Sequence, residues 1–425
     1  MKVLIVGSGG REHALAWKIS QSTKVKKLYC APGNGGIGEI AENVSLKDSD
    51  IQGLRDFASK EKIDLTVVGP EVPLTHGIVD EFEKKGLKIF GPHKSAAQLE
   101  GSKVFAKNFM QRHKIPTPGF KIADSPQQGY DILNSGEFSF PLVVKADGLA
   151  SGKGALVCRN LNKAQEAVHS LMEERKFGKA GKRVVIEEFL RGKEASFMVI
   201  SDGVKVIPMV TTMDHKAAFD GDKGPNTGGM GAISPSPFID QEMYNQIIKS
   251  IIFPTVTRML EEGRKYKGVL YAGLMLTEEG PKVLEYNCRF GDPETQPQVL
   301  RMESDLVDVL AGAVDEKVLE SEMEWNHQAS GCVVVASGGY PIKYEKGKEI
   351  KGLDKVTQDS GVVVFHAGTR KEGQKLLTDG GRVLGVGASE KSLKETMNKI
   401  YRALSHIDFE AMHFRRDIGA AREEG

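Results

Sequence analysis

Hydrophobic residues in the first hundred positions form short runs that alternate with amphipathic stretches. Residues 3–6 are a continuous apolar run, and a helical pattern follows as far as residue 19. Three more apolar runs occupy 27–31, 63–68 and 87–90, and each ends in a loop that contains glycine. Buried strands alternating with helices are typical of a doubly wound parallel sheet, which binds ligands at the carboxyl ends of its strands. The pattern therefore predicts an N-terminal α/β domain with its glycine loops at one edge.

The first glycine loop, Gly7-Ser-Gly-Gly-Arg-Glu-His13, only partly fits a dinucleotide-binding loop. That pattern needs glycine where this chain has Glu12, and an acidic residue where the second strand ends in Ala31-Pro32. These two differences argue against NAD. Backbone N–H groups at a helix N-terminus still suit a single phosphate. Asn34 and Glu71 follow neighbouring strands and could meet sugar hydroxyls or an amine, although Glu71 could equally be a solvated loop carboxylate.

The middle of the chain begins with a lysine on an apolar strand. Residues 140–147 form a buried run that carries Lys145, and burial of a lysine is costly unless an anion pairs with it. Gly148-Leu-Ala-Ser-Gly-Lys-Gly154 follows, and the chain continues as a strand over 155–158. The glycine spacing is wrong for a P-loop. A hairpin of this kind suits a mobile flap over phosphates, although a plain flexible hairpin is the alternative.

Two further segments offer groups for a nucleotide. Residues 102–113 read as a helix capped by Ser102, with Lys103 in its first turn as either a surface lysine or a phosphate ligand. Strands at 183–190 and 194–200 enclose a short connection surrounded by three carboxylates. The end of an apolar strand can hold an adenine ring and a carboxylate can bind ribose hydroxyls, but ordinary edge carboxylates would look the same. These carboxylates are Glu187, Glu188 and Glu194.

Residues 211–231 are rich in glycine and charged side chains, and they predict a long irregular loop. Loops of this length in compact domains are usually functional or disordered. The aromatic and charged residues favour a functional loop, with Asp214 and His215 as its most reactive members. A helix over about 240–263 and strands at 269–276 and 281–288 are predicted to follow.

The strand at 281–288 leads into Asn287-Cys-Arg-Phe-Gly-Asp-Pro-Glu-Thr-Gln296. Glu285 and Asn287 are two residues apart, so a strand places both on one face, with Val283 on the same side and Arg289 continuing it. Gly291-Asp-Pro then forms a turn that brings Asp292 and Glu294 close behind. A carboxylate and an amide oxygen beside an arginine suit a hard cation such as Mg²⁺ with a phosphate-bearing ligand. A strand end with solvated charges is the alternative.

The last hundred residues predict a small α/β domain. Apolar runs at 330–336, 361–366 and 381–387 read as strands, and 393–405 reads as a helix. The sequence suggests no metal or nucleophile set there, and His366 reads as a core or edge histidine. We expect this domain to close the back of a cleft.

Composition and charge restrict the class of protein. A chain of 425 residues suggests about three domains, and 58 basic against 57 acidic residues give a net charge of +1. This balance argues against nucleic acid or an anionic membrane as the main partner. The chain shows no signal peptide and no apolar run of membrane-spanning length, so we expect a cytoplasmic protein. Four widely spaced cysteines also favour a reducing compartment: Cys30, Cys158, Cys288 and Cys332.

The lysine-ended strand, the glycine flap, Ile186-Glu-Glu-Phe-Leu190 and the Glu285-x-Asn287 pair together resemble the ATP-grasp superfamily. Within it, the 287–296 motif, the 7–13 loop and Gly224-Pro-Asn-Thr-Gly-Gly-Met-Gly231 are similar to the phosphoribosylamine–glycine ligases over nearly the whole chain. The resemblance implies an N-terminal doubly wound substrate domain, a central ATP-grasp domain with a flap subdomain, and a small C-terminal α/β domain. The implied bounds are 1–101, 102–325 with the flap at about 120–191, and 326–425.

The resemblance implies a purine-biosynthetic ligase that joins glycine to 5-phosphoribosylamine with ATP, through a glycyl phosphate. It implies Mg²⁺ or Mn²⁺ on Glu285 and Asn287, glycine or the transferring phosphoryl group on Arg289, and Asp214 nearby as a second catalytic and substrate residue. Phosphoribosylamine would face Gly9, Gly10, Asn34 and Glu71. ATP would be bound by Lys103, Lys145, Gly148, Ser151, Gly152, Gly154, Glu187, Glu188, Leu190 and Glu194.

One departure from the superfamily concerns the metal. Many ATP-grasp enzymes carry a second metal carboxylate on the preceding strand, which here reads Tyr271-Ala-Gly-Leu-Met-Leu276. Asp292, Asp214 or water could fill the gap. The alternatives to glycine ligation are a sister ATP-grasp enzyme acting on formate or bicarbonate and a non-catalytic nucleotide sensor. The expected partners are small molecules, and we expect a monomer that could transiently contact the upstream amidotransferase.

Overall fold

The computed structural model describes residues 1–150, 154–317, 323–356 and 361–420, without the side chain of Lys179. Ser151 and Gly152 of the predicted flap lie outside the described residues.

The N-terminal sheet has five parallel strands in the order β3-β2-β1-β4-β5. The central strand β1 is buried along Val3 to Val6, as its continuous apolar run requires. The loops after β1, β2 and β4 share the carboxyl edge, so the predicted doubly wound sheet is confirmed. The elements are β1 (Lys2–Gly7), α1 (Gly10–Ile19), β2 (Lys27–Pro32), β3 (Glu42–Asn43), α2 (Ile51–Glu61), β4 (Leu65–Val68), α3 (Glu71–His76), α4 (Ile78–Glu83), β5 (Ile89–Phe90) and α5 (Gln98–Gly101).

A four-stranded sheet in the order β6-β9-β7-β8 forms the flap region. Its buried face packs on two helices through a separate apolar cluster that includes Val144, Ile186 and Leu171. β7 and β8 pair antiparallel with Lys145 opposite Ala155, which confirms the predicted glycine-rich hairpin. The elements are α6 (Lys103–Arg112), β6 (Phe120–Ala123), α7 (Pro126–Asn134), β7 (Leu142–Ala146), β8 (Ala155–Cys158), α8 (Leu161–Val168) and β9 (Val184–Glu188).

The next elements build a second four-stranded sheet and the predicted long helix. The elements are β10 (Lys193–Asp202), β11 (Val206–Pro208), β12 (Met213–Asp214), β13 (Ala217–Phe219), β14 (Lys223–Asn226), β15 (Gly231–Ser234), α9 (Gln241–Ile247), α10 (Phe253–Glu261), β16 (Lys267–Thr277) and β17 (Gly280–Asn287). The sheet order is β11-β10-β16-β17. A single π-helical segment, Ile248–Ile252, joins α9 to α10.

The prediction that residues 211–231 form an irregular loop is wrong. β13 and β14 pair as a short antiparallel hairpin, and β12 pairs with β15. The strands are only two to four residues long and rich in glycine and charge, so their propensity is weak. Contacts with distant parts of the chain order them instead.

The C-terminal sheet incorporates strands that precede residue 326. Its order is β12-β15-β18-β22-β19, so two strands come from the central part of the chain. The strands and the last helix that the sequence predicts are present, whereas the proposed domain boundaries remain predictions. The elements are α11 (Thr295–Arg301), α12 (Leu306–Val314), β18 (Ala329–Ala336), α13 (Leu353–Val356), β19 (Val362–His366), β20 (Thr369–Glu372), β21 (Lys375–Thr378), β22 (Arg382–Glu390) and α14 (Leu393–Leu404).

A bulge changes the predicted face of one residue of β17. Glu285 pairs with Gly273, but the next residue of β16, Leu274, pairs with Val283, so Leu284 is the extra residue. The prediction that Val283 shares the face of Glu285 is therefore wrong. Val283 packs with Tyr286 in the apolar core, while Leu284 lines the cavity described below.

The described residues include no helix with the length and apolar character needed to cross a bilayer.

Candidate active site

A cavity of about 630 Å³ brings together side chains from the N-terminal loops, the flap sheet and β17. A neighbouring cavity of about 270 Å³ shares Gly9 and Asp292 with it and is bordered by Asn34. Gly10 is buried, and a side chain there would meet Gln296 Nε2 at 2.7 Å. The sequence-predicted residues that line the larger cavity are Gly9, Glu71, Lys103, Lys145, Gly148, Gly154, Glu187, Glu188, Leu190, Glu194, Asp214, Glu285, Asn287 and Arg289.

The anionic partner that Lys145 requires is Glu187. Both side chains are buried and form an ion pair, and Lys145 Nζ also donates to Leu284 O at 3.2 Å. The second oxygen of Glu187 lies 2.6 Å from Lys107 Nζ. Burial alone would raise the pKa of Glu187, but the two lysines hold it below its usual value.

The start of α6 is tied to the base of the flap. Ser102 Oγ caps the helix by accepting from Phe105 N at 3.1 Å, as predicted. Asp147 accepts from Ser102 Oγ at 2.7 Å and from Val104 N at 3.0 Å, while Arg183 Nε donates to its other oxygen at 2.9 Å. Lys103 Nζ reaches Gly148 O at 3.4 Å. One carboxylate thus fixes the helix that carries Lys103 against the strand end where the flap begins.

Glu285 and Asn287 occupy the cavity face of β17, opposite Gly273 and Tyr271. Burial alone would raise the pKa of Glu285, but the lysines around the cavity, Lys103 first among them, hold it below its usual value. A carboxylate kept ionised beside an amide oxygen is a donor pair that suits a hard cation. Gly273 supplies no carboxylate, as the sequence indicates.

Arg289 lies between two carboxylates that come from different elements. Its Nε is 3.4 Å from Glu71 Oε2 at the start of α3, and its Nη2 is 3.3 Å from Glu100 Oε1 in α5. Nη2 also donates to Asn287 Oδ1 at 3.2 Å. Burial would lower the pKa of Arg289, but Glu100 and Glu71 raise it, so the guanidinium stays charged. Glu71 is therefore an ion-pair partner in the cavity and not a solvated loop residue.

A buried acidic cluster borders Asp214. Glu294 Oε1 accepts from Tyr271 OH at 2.5 Å and from Ser196 Oγ at 3.1 Å. Burial and the nearby Glu294 raise the pKa of Asp214 well above its usual value. Lys216 lies in the same cavity, 3.1 Å from Glu194. Lys216, which sequence reasoning did not single out, therefore pairs with the predicted ribose carboxylate Glu194 in the cavity that also holds Asp214.

Arg382 brings the C-terminal sheet into the site. Its Nη1 donates to Gly228 O at 2.6 Å and to Asp292 O at 2.7 Å, and its Nη2 lies 3.0 Å from Asp292 Oδ2. Gln296 Nε2 also donates to Asp292 Oδ1 at 2.9 Å. Asp292 is therefore committed to protein partners, which weighs against it as a second metal ligand. We expected the last domain to close the back of the cleft, but through Arg382 it also contributes a side chain to the site.

Asn34 connects the N-terminal loop to the C-terminal sheet. Its Nδ2 donates to Ser8 O and to His366 O, both at 2.8 Å, and its Oδ1 accepts from Gly36 N and Ile37 N. The side chain therefore shapes the loop, and its predicted contact with substrate stays a prediction.

Other cavity residues were also not predicted, and a sequence pattern could have indicated some of them but not others. Lys107 follows Lys103 by four residues on α6, so helical spacing could have placed both on one face. Glu100 and Arg382 stand far from Arg289 and Asp292 in sequence, and no local pattern marks them.

The donor set for a metal is small. In the parts of the chain that the structure describes, no group of three or more His, Cys, Asp or Glu side chains is arranged to hold an ion. Glu285 and Asn287 supply two hard oxygen donors, and Asp214 Oδ1 nearby is buried without a hydrogen-bond partner. These residues fit a divalent cation whose remaining ligands come from bound phosphates and water.

Comparison with known proteins covers nearly the whole chain. Sequence models of phosphoribosylglycinamide synthetase match residues 1–100 (N domain), 101–295 (ATP-grasp (A) domain) and 330–421 (C domain). A phosphoribosylamine–glycine ligase from Caldanaerobacter subterraneus subsp. tengcongensis is 49% identical over 420 residues, covering 99% of this chain and 100% of that protein. The one from Escherichia coli K12 is 50% identical over 423 residues, with 99% and 98% covered.

A solved structure agrees with the sequence matches. The crystal structure of phosphoribosylamine–glycine ligase from Thermotoga maritima superposes with a TM-score of 0.84 at 34% identity, covering 98% of this chain and 100% of that one. Fold and cavity together define an ATP-dependent ligase of the ATP-grasp class. Within that class, the chain belongs to the phosphoribosylamine–glycine ligase family, which confirms the resemblance seen in its sequence.

Proposed function

We propose that the chain joins glycine to 5-phosphoribosylamine at the expense of ATP, giving glycinamide ribonucleotide, ADP and phosphate. Family membership over the full length supports this reaction. The observation that carries it in the structure is a single cavity that gathers two candidate phosphate lysines, the Glu285 and Asn287 pair, and Arg289. Phosphoryl transfer depends on positioning and charge neutralisation, which this cavity is equipped to supply.

The first step transfers the γ-phosphoryl group to a carboxylate oxygen of glycine and releases ADP. Lys103 and Lys145 bind the ATP phosphates, and Gly148 and Gly154 of the flap lie beside them. The backbone from Glu187 to Leu190 receives the adenine, with Glu194 beside the ribose. Arg289 binds the glycine carboxylate or the transferring group, since Glu71 and Glu100 hold its guanidinium charged at the cavity wall.

The second step forms the amide bond. The nitrogen of phosphoribosylamine attacks the carbonyl carbon of glycyl phosphate, and the bond from that carbon to the phosphate oxygen breaks. Phosphate leaves with the bonding pair and takes up the proton that the nitrogen loses. Gly9, Asn34 and Glu71, which line the two adjoining cavities, shape the phosphoribosylamine site together with Gly10 at the start of α1. Asp214 lies beside the reacting groups, where its side-chain oxygens can accept hydrogen bonds from the amines.

Glu285 and Asn287 would hold the divalent cation, which we propose to be Mg²⁺ with Mn²⁺ as a substitute. When bound, such a cation would neutralise negative charge on the phosphates. Asp292 is paired with Arg382, so the chain would supply its oxygen donors to the cation from Glu285 and Asn287.

The test is phosphate release from ATP in the presence of phosphoribosylamine generated in situ and one acid at a time. We expect release with glycine, with either Mg²⁺ or Mn²⁺, and detection of glycinamide ribonucleotide by mass spectrometry. If phosphate were released with formate or bicarbonate but not with glycine, the chain would instead have the function of a sister ATP-grasp enzyme. ATP binding without release for any acid would favour the nucleotide sensor.

Two expectations about partners remain predictions: a monomeric state and a transient contact with the upstream amidotransferase. Sedimentation of the protein alone and with that enzyme would test both.

A further inference from the structure

A buried trio of charged residues borders the proposed ATP site. Lys107, on α6, and Lys145, on β7, both pair with Glu187 on β9. The exposed fractions are 2% for Lys107, 6% for Lys145 and 1% for Glu187, so water contributes little to their solvation. Lys107 Nζ also donates to Thr117 Oγ1 at 2.8 Å, which helps to hold the ammonium at the oxygen of Glu187 that Lys145 does not contact.

The charges of the trio do not cancel. Two lysines and one carboxylate leave one positive charge in excess, and the trio borders the cavity that holds Lys103 and Gly148. If Glu187 had Lys145 as its single partner, the two would form a neutral buried pair. A lysine whose charge is cancelled by a neighbouring carboxylate attracts a polyanion only weakly.

We propose that Lys107 is a positioning residue for ATP. Its ion pair with Glu187 offsets the negative charge of that carboxylate. Glu187 can therefore hold Lys145 in place without cancelling the positive charge that Lys145 presents to the triphosphate. The proposal rests on the proposed function of Lys145 as a phosphate ligand. It also gives the side chain of Glu187 a role at the site, separate from the proposed contact of its backbone with adenine.

The simpler interpretation is that the trio only stabilises the junction between α6 and the flap sheet. Buried ion pairs contribute little net stability, but removal of one partner leaves an uncompensated buried charge and destabilises the fold. The two interpretations make opposite predictions when the carboxylate and the lysine are removed separately. If the trio is purely structural, each variant should lose ATP affinity in proportion to its loss of stability. If Lys107 balances the charge of Glu187, the variant that loses the most affinity should differ from the variant that loses the most stability.

The experiment compares Lys107→Met, Glu187→Gln and the double variant by calorimetric titration with a non-hydrolysable ATP analogue and by urea unfolding. Lys107→Met leaves a neutral Lys145–Glu187 pair, so we expect the dissociation constant to rise by about tenfold or more while stability changes little. Glu187→Gln leaves two lysines without a carboxylate, so we expect this variant to lose the most stability. Its dissociation constant for the ATP analogue should rise by no more than about threefold. The double variant restores one net positive charge, so we expect an affinity within about threefold of wild type.

Lys114→Met, which removes an exposed lysine just after α6, is the matched control and should change neither quantity. An affinity series that follows the stability series, with Glu187→Gln the weakest binder, would overturn the proposal, as would a double variant that binds as weakly as Lys107→Met. Lys145→Met separates this proposal from the function it rests on. Unchanged ATP affinity in Lys145→Met would reject the phosphate role of Lys145 itself, whereas glycine-dependent phosphate release by the wild type tests the overall reaction.

Discussion

Individual charged side chains in this site are held in position by oppositely charged partners. Arg289 is held by Glu71 and Glu100, and Lys145 by Glu187. Each cation therefore reaches the cavity with its side chain already fixed, which reduces the entropy lost when an anionic ligand binds. A substitution at Glu100 can therefore weaken the site without removing a group that we propose to contact ligand.

Glu285 is the residue whose loss we expect to be most damaging to turnover. Glu285→Ala removes one of the two proposed cation donors, so we expect kcat to fall by at least about 100-fold. Mn²⁺ binding in the presence of ADP, followed by electron paramagnetic resonance, should weaken in parallel. The fold should persist, because Glu285 is half-buried at the cavity wall and outside the apolar core.

The matched control for this prediction is Glu278→Ala, which changes an exposed carboxylate in the turn before β17. It should leave kcat, Mn²⁺ binding and the unfolding transition unchanged. Undiminished turnover by Glu285→Ala would remove the metal assignment.

Two buried histidines predict how stability depends on pH. His366 N donates to His13 Nδ1 at 2.7 Å, and burial lowers the pKa of His13 to about 3 and that of His366 to about 4. Unfolded histidines bind protons near pH 6.5, so the unfolded state gains protons first as pH falls. Stability from the neutral pair is present above pH 6.5 and is lost below it, by about 2 kcal/mol per histidine at pH 5.

Urea unfolding of wild type and His13→Asn at pH 7.5 and pH 5 measures this effect. The asparagine oxygen can accept the bond from His366 N but does not titrate, so the loss between the two pH values should shrink in the variant. His327→Asn, at an exposed position, should behave as wild type. An equal loss in all three proteins would contradict the prediction.

At the scale of elements, the hairpin β13–β14 depends on the last residues of the chain. Arg415, 1% exposed, donates to Ala217 O at 3.2 Å and to Asp222 Oδ1 at 2.9 Å. Asp417 accepts from Gly221 N at 2.8 Å. The hairpin lies between Lys216 and Thr227, both of which line the cavity. Order in this segment is therefore imposed by a part of the chain that follows it by some two hundred residues.

Arg415→Met should release the hairpin. We expect a loss of roughly 2–4 kcal/mol in the free energy of unfolding and a fall of about tenfold in kcat/KM. Hydrogen exchange should become faster at residues 217–226, which would show that the kinetic loss originates in the hairpin. Arg416→Met is the control, since Arg416 bonds Asp220 through its backbone N–H. Unchanged exchange in Arg415→Met would rule out this role.

The hairpin also shows where sequence interpretation fails. Long apolar runs such as β1 and the lysine strand β7 carry enough local signal to predict both the strand and the unusual lysine on it. β13 and β14 have no such signal, because their stability comes from tertiary contacts that spacing does not reveal. Similarly, the bulge at Leu284 reverses the face of Val283 although the strand itself was predicted correctly.

At the scale of the whole molecule, the site is completed by residues from both ends of the chain. The family resemblance correctly indicated the ligase class, and most of the predicted site residues line one cavity. Arg382 was not predicted, because its partners Gly228 and Asp292 are 154 and 90 residues away and no motif surrounds it. Its position links the C-terminal sheet to the turn that follows β17.

Arg382→Ala tests whether this link supports catalysis. The change removes the hydrogen bonds from Arg382 to Gly228 O, Asp292 O and Asp292 Oδ2. Without them, the Gly-Asp-Pro turn can move relative to Arg289. Displacements of about 1 Å near reacting atoms can reduce rates by about 100-fold, and we expect a loss of that order in kcat/KM for glycine and phosphoribosylamine. ATP affinity should change by less than about threefold, since the proposed phosphate lysines belong to other elements.

Arg382→Lys keeps the charge but not the planar fork that reaches two oxygens at once, so its activity should fall between Ala and wild type. Arg402→Ala, at an exposed position on α14, controls for the loss of an arginine elsewhere in the same domain. Calorimetry with the ATP analogue and steady-state kinetics on the four proteins distinguish the outcomes. If Arg382→Ala weakened ATP and both co-substrates equally, the arginine would support the fold as a whole, and full activity would mean that the turn is held without it.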